Sequence, residues 1–273
     1  MTTLAEVLRE QGHDLREARK LAGQGRVWLG HTPVTDMGRE VDEREVRVLM
    51  SRPAHAPGRD AAVVVHDDRL AVVYKPSGLL SVPAPGRREP SVLSQVSRWL
   101  GHALAVHRID EGTSGLLLVA RDVGAQLDLK NQLEAHSVER RYLALVRGRF
   151  PGGEKRVDAP LGRMGDGRRG IVAGGKPAIT RLRAVDTCGD VSVVEARLET
   201  GRTHQVRLHL AHLGFPILGD DLYGGARFAR LALHAHVIGF RHPAGDTRRY
   251  VSPLPDELWR RCVGSGGGSR PSR

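Results

Sequence analysis

Residues 107–121 read HRIDEGTSGLLLVAR, the most informative segment of the chain. Two glycines, a threonine and two acidic residues stand directly before an apolar run. This order predicts a sharp polar turn followed by a buried strand over 115–120. An aspartate in such a turn most often binds its own backbone, so Asp110 alone says little about chemistry. Its meaning depends on the segments around it.

The chain on either side of this turn predicts further strands and helices. Runs rich in β-branched residues predict strands at 61–68, 70–76, 141–148, 179–185 and 191–200. Apolar residues at helical spacing predict helices at 91–100 and 123–136. The strands outnumber the helices and do not alternate with them one for one. The pattern therefore favours an α+β domain built on a mixed, largely antiparallel sheet rather than a doubly wound fold.

The distribution of charge predicts how the chain divides into domains. Residues 1–50 carry eight Lys+Arg and nine Asp+Glu, whereas the rest carries 34 and 22, a change from −1 to +12. The stretch SRPAHAPGRD has two prolines, a glycine and no periodicity. We predict a small domain over 1–50, a linker over 51–60 and a large domain over 61–263. The low-complexity sequence of 264–273 predicts a disordered tail.

The first fifty residues predict a compact unit of two helices followed by a hairpin and one more strand. Its central part, LREARKLAGQGRVWLGHTPVTDMG (15–38), resembles the small RNA-binding module named after ribosomal protein S-four. The resemblance implies a small α/β RNA-binding domain. It also implies RNA contact through Arg16, Arg19, Lys20 and Arg26. The alternative is that these are solvated charges on an amphipathic helix, diluted by nearby glutamates.

Composition limits the function classes. With 42 Lys+Arg against 31 Asp+Glu the net charge is +11, and 40% of the residues are hydrophobic, which is ordinary for a packed globular protein. The chain contains no apolar run near the roughly 20 residues that cross a bilayer, and its start lacks the pattern of a secretory signal. Cys188 and Cys262 stand far apart with no metal-binding spacing, as in a reducing cytoplasm. We expect a cytoplasmic monomer without membrane contact and with a polyanionic partner, nucleic acid first.

Four segments in order, HRIDEGTSGLLLVAR, ERRYLALVRG, ETGRTHQVRLHLA and GDDLYGG, resemble the RluA-type family of RNA pseudouridine synthases. The resemblance runs from about Val63 to Pro255. Ile109 stands where the family usually has leucine, which conserves volume. The resemblance implies a pseudouridine synthase fold and the isomerisation of uridine in RNA to pseudouridine, a reaction that needs no cofactor, nucleotide or metal.

The resemblance also assigns roles to residues. Asp110 matches the family's nucleophile, Tyr142 its active-site tyrosine and Arg207 its arginine beside the nucleophile. A dry pocket raises the pKa of a carboxylate, so a fixed cation is needed to keep Asp110 ionised. Whether Asp110 attacks the sugar or assists formation of a glycal stays open. RNA contacts are expected from Arg108, Thr113, Arg202, His204 and Leu208.

Local pattern adds one expectation about the segment that carries the arginine. Residues from 204 onward have helical spacing, and Thr203 is a residue type that caps helix N-termini. We therefore expect Thr203 to cap a helix that bears His204, Arg207 and Leu208.

Three other interpretations compete. His209 and His212 have a spacing that metal sites use, but a lone pair of this kind is a weak signal. Gly170 to Lys176 nearly spells a phosphate-binding loop, yet Pro177 replaces the required Ser or Thr and a strand is predicted next. A non-catalytic RNA-binding assembly factor is the third alternative, against which the intact set of Asp110, Tyr142 and Arg207 argues. Family members act on ribosomal or transfer RNA; the N-terminal module favours large-subunit ribosomal RNA by analogy.

Overall fold

The computed structural model describes residues 2–10, 14–23, 27–29, 32–33, 36–42, 46–48, 60–87 and 89–258. Nearly all of the expected linker at 51–60 and the whole expected tail at 264–273 lie outside these residues. Within the described residues, no helix is long and apolar enough to cross a membrane.

The N-terminal part contains the predicted helices and hairpin. Its helices are α1 (Leu4–Glu10) and α2 (Leu15–Gly23), and its short strands are β1 (Thr2–Thr3), β2 (Val27–Leu29), β3 (Thr32–Pro33), β4 (Glu40–Val41) and β5 (Val46–Val48). Strand β2 pairs with both β3 and β5, and β1 pairs with β4. Asp14 accepts a hydrogen bond from the backbone of Glu17 at 2.8 Å and so caps α2. These elements enclose a separate small apolar cluster that includes Leu4, Leu8 and Leu21.

The rest of the described chain forms the larger unit. Its strands are β6 (Ala62–His66), β7 (Leu70–Lys75), β8 (Leu104–Ala105), β9 (Ser114–Ala120), β10 (Glu139–Arg147), β11 (Glu154–Asp158), β12 (Leu161–Arg163), β13 (Arg169–Ile171), β14 (Ile179–Cys188), β15 (Val191–Leu198), β16 (Leu233–Arg241) and β17 (Thr247–Val251). Its helices are α3 (Val92–Leu100), α4 (Val123–Glu134) and α5 (Gln205–His212). All the strands and helices predicted from 61 to 200 are present.

Ten of these strands make one mixed sheet. Its order is β11-β14-β15-β10-β16-β9-β7-β6, with β17 on β16 and β8 on β9. All pairs are antiparallel except β16 with β9, which run parallel through His234 beside Ser114 and Ala235 beside Gly115. The small hairpin of β12 and β13 stands apart from the sheet. The expected α+β fold with a largely antiparallel mixed sheet is confirmed.

Both faces of the central strands are covered, which explains why β9 is an unbroken apolar run. Leu117 and Val119 face the larger core with α3 and α5, whereas Leu116 and Leu118 face a second cluster with α4. A strand buried on both sides has no solvent face for polar residues, so it loses the alternation of a half-buried strand. The polar turn before β9 is thereby fixed to a strand that is buried along its whole length.

Candidate active site

The turn at 107–113, which joins β8 to β9, is held in place by the segment that follows β7. Ser81 Oγ donates to the carbonyl of Ile109 at 2.7 Å and accepts from its amide at 3.1 Å. Ser77 Oγ donates to the carbonyl of Gly112 at 2.7 Å, and the amide of Gly78 donates to the carbonyl of Glu111 at 2.8 Å. These bonds fix the backbone on both sides of Asp110.

Lys75 lies under this turn and is fully buried. Its Nζ donates to the carbonyls of Pro76, Leu79 and Glu111 at 2.7–2.9 Å. Burial lowers the pKa of Lys75 to about 7, although the nearby carboxylates of Asp110 and Glu111 act in the opposite direction. Three carbonyls match the three N–H groups of an ammonium, so Lys75 joins the turn to β7.

His107 opens the turn in a defined tautomer. Its Nε2 accepts the backbone N–H of Leu118 at 3.1 Å, so the neutral ring carries its proton on Nδ1. Burial lowers the pKa of His107 to about 3, with a smaller contribution from the charge of Arg140. His107 is therefore a neutral structural group that ties the turn to β9.

Asp110 lies half-buried between two basic side chains from the segment around α5. Its side chain is 18% exposed. One carboxylate oxygen is 3.6 Å from Nη1 of Arg207, and the other is 3.9 Å from Nε2 of His204. The expected pairing of Asp110 with Arg207 is present, at a distance that still leaves the carboxylate available to a ligand.

Arg207 is held mainly by a second carboxylate that the sequence analysis did not select. Its Nε and Nη2 donate to the two oxygens of Asp220 at 2.8 and 2.7 Å, and the side chain of Asp220 has no exposed surface. The ring of Tyr223 lies 5.0 Å from the guanidinium carbon. A bidentate pair fixes the plane of the guanidinium, so Nη1 is left pointing toward Asp110. Asp220 and Tyr223 belong to the segment GDDLYGG. The two adjacent aspartates of this segment are the sequence feature that could have pointed to a functional carboxylate here.

The expectation that Thr203 caps α5 is wrong. The residue at the N-cap is His204, in the left-handed conformation with φ 58°, and it makes no side-chain cap bond. Gln205 instead satisfies the turn, accepting from the Arg202 amide at 2.9 Å and the Thr200 hydroxyl at 2.8 Å. The left-handed backbone directs the His204 ring to Tyr223, 2.8 Å from its hydroxyl, and toward Asp110. Burial lowers the pKa of His204.

Asp110 and Tyr142 line one cavity of about 250 Å³, and Arg140 lines it with them. Tyr142 is buried in β10, and Arg140 lies two residues earlier, on the same face of the strand. Burial raises the pKa of Tyr142 to about 12, so its hydroxyl stays protonated. A nucleobase-sized space is thus bordered by a carboxylate, a phenol and several cations.

The other predicted contacts fall in different places. Arg108, Thr113, Arg202 and His204 line the same cavity. Leu208 is buried in a small cluster with Leu161 and Ala178 and is not brought to it. Arg16 and Arg19 are exposed on α2, whereas Arg26 and the side chain of Lys20 lie outside what the structure describes.

One histidine of the pair that suggested a metal, His209, has other partners. His209 is fully buried, with Nδ1 2.8 Å from the Thr180 hydroxyl and Nε2 3.2 Å from the Ala159 carbonyl. Both ring nitrogens are thus engaged. No cluster of three or more metal-binding side chains occurs in the described part of the chain.

The sequence of this chain is similar to those of known proteins. Residues 69–212 match the family model described as RNA pseudouridylate synthase. An uncharacterized RNA pseudouridine synthase of Bacillus subtilis is 37% identical over 80% of this chain and 75% of its own length. The ribosomal large subunit pseudouridine synthase D of Xanthomonas campestris is 38% identical over 79% of this chain and 73% of its own. An uncharacterized RNA pseudouridine synthase of Chloroflexus aurantiacus is 42% identical, and the match spans 63% of its length.

A solved structure agrees with the fold. Human RNA Pseudouridylate Synthase Domain Containing 1 superposes with a TM-score of 0.63 at 27% identity, covering 73% of this chain and 86% of that one. The match to the family model covers more than half of the chain and includes Asp110, Tyr142 and Arg207. The chain belongs to the RNA pseudouridylate synthase family, a family of isomerases.

Proposed function

We propose that this protein isomerises uridines of large-subunit ribosomal RNA to pseudouridine, with Asp110 as the nucleophile. The observation that carries the proposal is the position of Asp110: a carboxylate at a nucleobase-sized cavity, 3.6 Å from a guanidinium that Asp220 holds from the far side. A fixed cation beside the carboxylate balances its negative charge without blocking it.

The cavity limits how the substrate is presented. A volume of about 250 Å³ admits one nucleobase, so the target nucleotide must leave its stack and enter alone. The ring of Tyr142 offers an aromatic surface for the base, and the exposed Arg108 stands at the mouth beside the nucleophile. Arg108 is placed to contact the RNA backbone.

These positions support the following proposed reaction. A carboxylate oxygen of Asp110 bonds to C1′ of the ribose while the C1′–N1 bond breaks, and the electron pair stays on uracil. The base turns, C5 bonds to C1′ and Asp110 is released. The proton on C5 is then lost and N1 gains one, so no atom is added or removed. Tyr142, protonated and beside the base, is the group nearest to this proton exchange.

Two features support ribosomal RNA as the substrate. Relatives with 36–39% identity, from Xanthomonas campestris to Nitrosomonas europaea, are named ribosomal large subunit pseudouridine synthase D. The N-terminal unit, proposed as a module like that of ribosomal protein S-four, presents Arg16 and Arg19 to solvent on α2. A second RNA-binding unit suits a large, folded substrate.

A pseudouridine map of the source organism with and without this gene tests the proposal. Loss of pseudouridine at one or a few large-subunit ribosomal positions is the expected result. Loss confined to transfer RNA would keep the reaction and overturn the substrate. No loss at any position, together with no turnover by the purified protein on total RNA, would contradict the proposed reaction.

A further inference from the structure

The described part of the chain buries two arginines, and their partners differ. Arg207 is 7% exposed and is bound by Asp220 with Asp110 nearby. Arg140 is 8% exposed, but no described carboxylate lies within ion-pair distance of it. Its one hydrogen bond among the described residues runs from Nη2 to the carbonyl of Glu199 at a long 3.5 Å.

Such an environment opposes folding, so the burial of Arg140 calls for a reason other than stability. Removing a cation from water costs several kcal/mol unless charges or hydrogen bonds replace the lost hydration. The Nε of Arg140 is buried and has no hydrogen-bond partner among the described residues. An arginine remains protonated even when burial lowers its pKa, as it does here. The chain therefore holds an under-coordinated positive charge in its interior.

That charge borders the cavity that contains Asp110. Arg140 lines the cavity with Tyr142, which lies on the same face of β10, and with Gly201. A Cβ at position 201 would overlap Nη1 of Arg140, so a glycine there leaves room for the guanidinium. Thr113, 1% exposed, also lines the cavity, and its Oγ1 is buried with no hydrogen-bond partner in the part of the chain that the structure describes. Two buried donors without partners at one cavity indicate a ligand that accepts hydrogen bonds there.

We propose that Arg140 is a further catalytic residue, which contacts the flipped uracil and stabilises the negative charge that the base acquires when its bond to C1′ breaks. The inference rests on the proposed isomerisation and deepens it. When the C1′–N1 bond breaks, its electron pair passes to the uracil ring and spreads over N1, O2 and O4. A guanidinium already in place and poorly solvated stabilises this anion more than a solvated cation would. Thr113 adds a donor to a uracil carbonyl.

This assignment separates the two arginines by function. Arg207 faces the carboxylate that attacks, and Arg140 faces the base that departs. The charge on the uracil exists only between bond cleavage and bond formation, so Arg140 affects the chemical step more than the binding of uncharged uridine. The two cations therefore act on different groups of the reaction, the attacking carboxylate and the departing base.

Three variants test the role of Arg140. Arg140→Met removes the charge and keeps much of the length, and Arg140→Lys keeps a charge with different geometry. Arg141→Met is the matched control, because Arg141 is the next residue of β10, is partly exposed and pairs with Glu139 and Glu195. Each is assayed by single-turnover conversion of an RNA that the wild type modifies, by RNA binding and by thermal unfolding.

The expected result is a rate loss of about 100-fold or more for Arg140→Met, with RNA affinity within about twofold of wild type. The rate of Arg140→Lys is expected to lie between the rates of Arg140→Met and the wild type, and the rate of Arg141→Met near that of the wild type. A second substrate with 5-fluorouridine at the target position separates the stabilisation of the uracil anion from other effects of the substitution. Fluorine stabilises the uracil anion, so the loss caused by Arg140→Met shrinks on this RNA, as measured by disappearance of 5-fluorouridine.

Three results would overturn the role of Arg140. These are a folded Arg140→Met that turns over within about threefold of wild type, a rate loss of equal size on both substrates, and a loss that lies wholly in RNA affinity. If Arg140→Met does not fold, the rate losses of Arg140→Lys on the uridine and 5-fluorouridine substrates are compared instead. A smaller loss on 5-fluorouridine supports the role, and equal losses overturn it. Wild-type protein without turnover would overturn the proposed function instead.

Discussion

At the scale of single residues, the site depends on how one guanidinium is oriented. Arg207 gives two of its nitrogens to Asp220 and leaves the third beside Asp110. An arginine bound bidentately to the nucleophile itself would block it. The buried second carboxylate therefore separates two tasks, because Asp220 fixes the cation and Asp110 remains free to react.

Replacing Asp220 tests this division. Asp220→Asn keeps the volume but removes the charge, which leaves the buried Arg207 underpaired. We expect the free energy of unfolding to fall by about 3 kcal/mol and turnover to fall about 100-fold because Arg207 loses its orientation. Urea unfolding and single-turnover assays measure the two effects. The adjacent, exposed Asp221→Asn is the control; equal behaviour of the two variants would refute the role of Asp220.

His107 gives a prediction for pH. Its pKa is about 3 in the folded protein, against 6.5 for an ordinary histidine. Between these values the unfolded chain binds a proton that the folded chain does not, so the free energy of unfolding falls as the pH is lowered from 6.5 toward 3. His107→Gln retains an acceptor for the Leu118 amide and lacks this titration. Its unfolding free energy is expected to fall less steeply over that range; parallel curves for both proteins would contradict the assignment.

Residue types predicted part of this site and missed the rest for a physical reason. Asp110, Tyr142 and Arg207 stand in long motifs, and the structure brings them together. Asp220 and Arg140 lie in two of the four family-like segments, but residue type does not mark them, because their importance lies in burial and in partners. A sequence shows neither that Asp220 is buried against Arg207 nor that Arg140 is buried with no described carboxylate beside it. Only the fold separates them.

At the scale of elements, β9, the strand that follows the turn bearing Asp110, lies parallel to β16. The close pairing occurs at Gly115, opposite Ala235. The local apolar patterns predicted β9, β10, β14 and β15 as strands. They contained no signal for this parallel pair, since β9 and β16 are separated by more than one hundred residues. The order of strands in the sheet is decided by long-range packing.

A substitution at Gly115 tests the close pairing of β9 with β16. Its φ is 114°, and a Cβ there would overlap the carbonyl oxygen of Ala235. Gly115→Ala therefore must strain the backbone and separate β9 from β16, and we expect a loss of about 3 kcal/mol in the free energy of unfolding. Thermal or urea unfolding measures it. Gly152→Ala, where a Cβ meets nothing and φ is not positive, should cost little; a similar small cost at Gly115 would count against the close pairing.

At the scale of the whole molecule, charge and fold agree on a polyanionic substrate. The positive net charge arises beyond residue 50, where it is +12. Arg108 and Arg202 line the cavity from exposed or partly exposed positions. A basic surface attracts RNA without regard to sequence, whereas the small cavity accepts a single flipped base. Binding and chemistry are therefore expected to be separable, with the reaction depending on Asp110, the one acidic residue among the described residues that line the cavity.

The most direct measurement compares wild type with Asp110→Ala on a large-subunit ribosomal RNA transcript, recording both pseudouridine formation and RNA affinity. We predict that the wild type forms pseudouridine and that Asp110→Ala forms none detectable, a loss of at least about 1,000-fold, while its RNA affinity stays within about twofold. Pseudouridine formation by Asp110→Ala at a rate near that of wild type would contradict the role of Asp110 as the nucleophile.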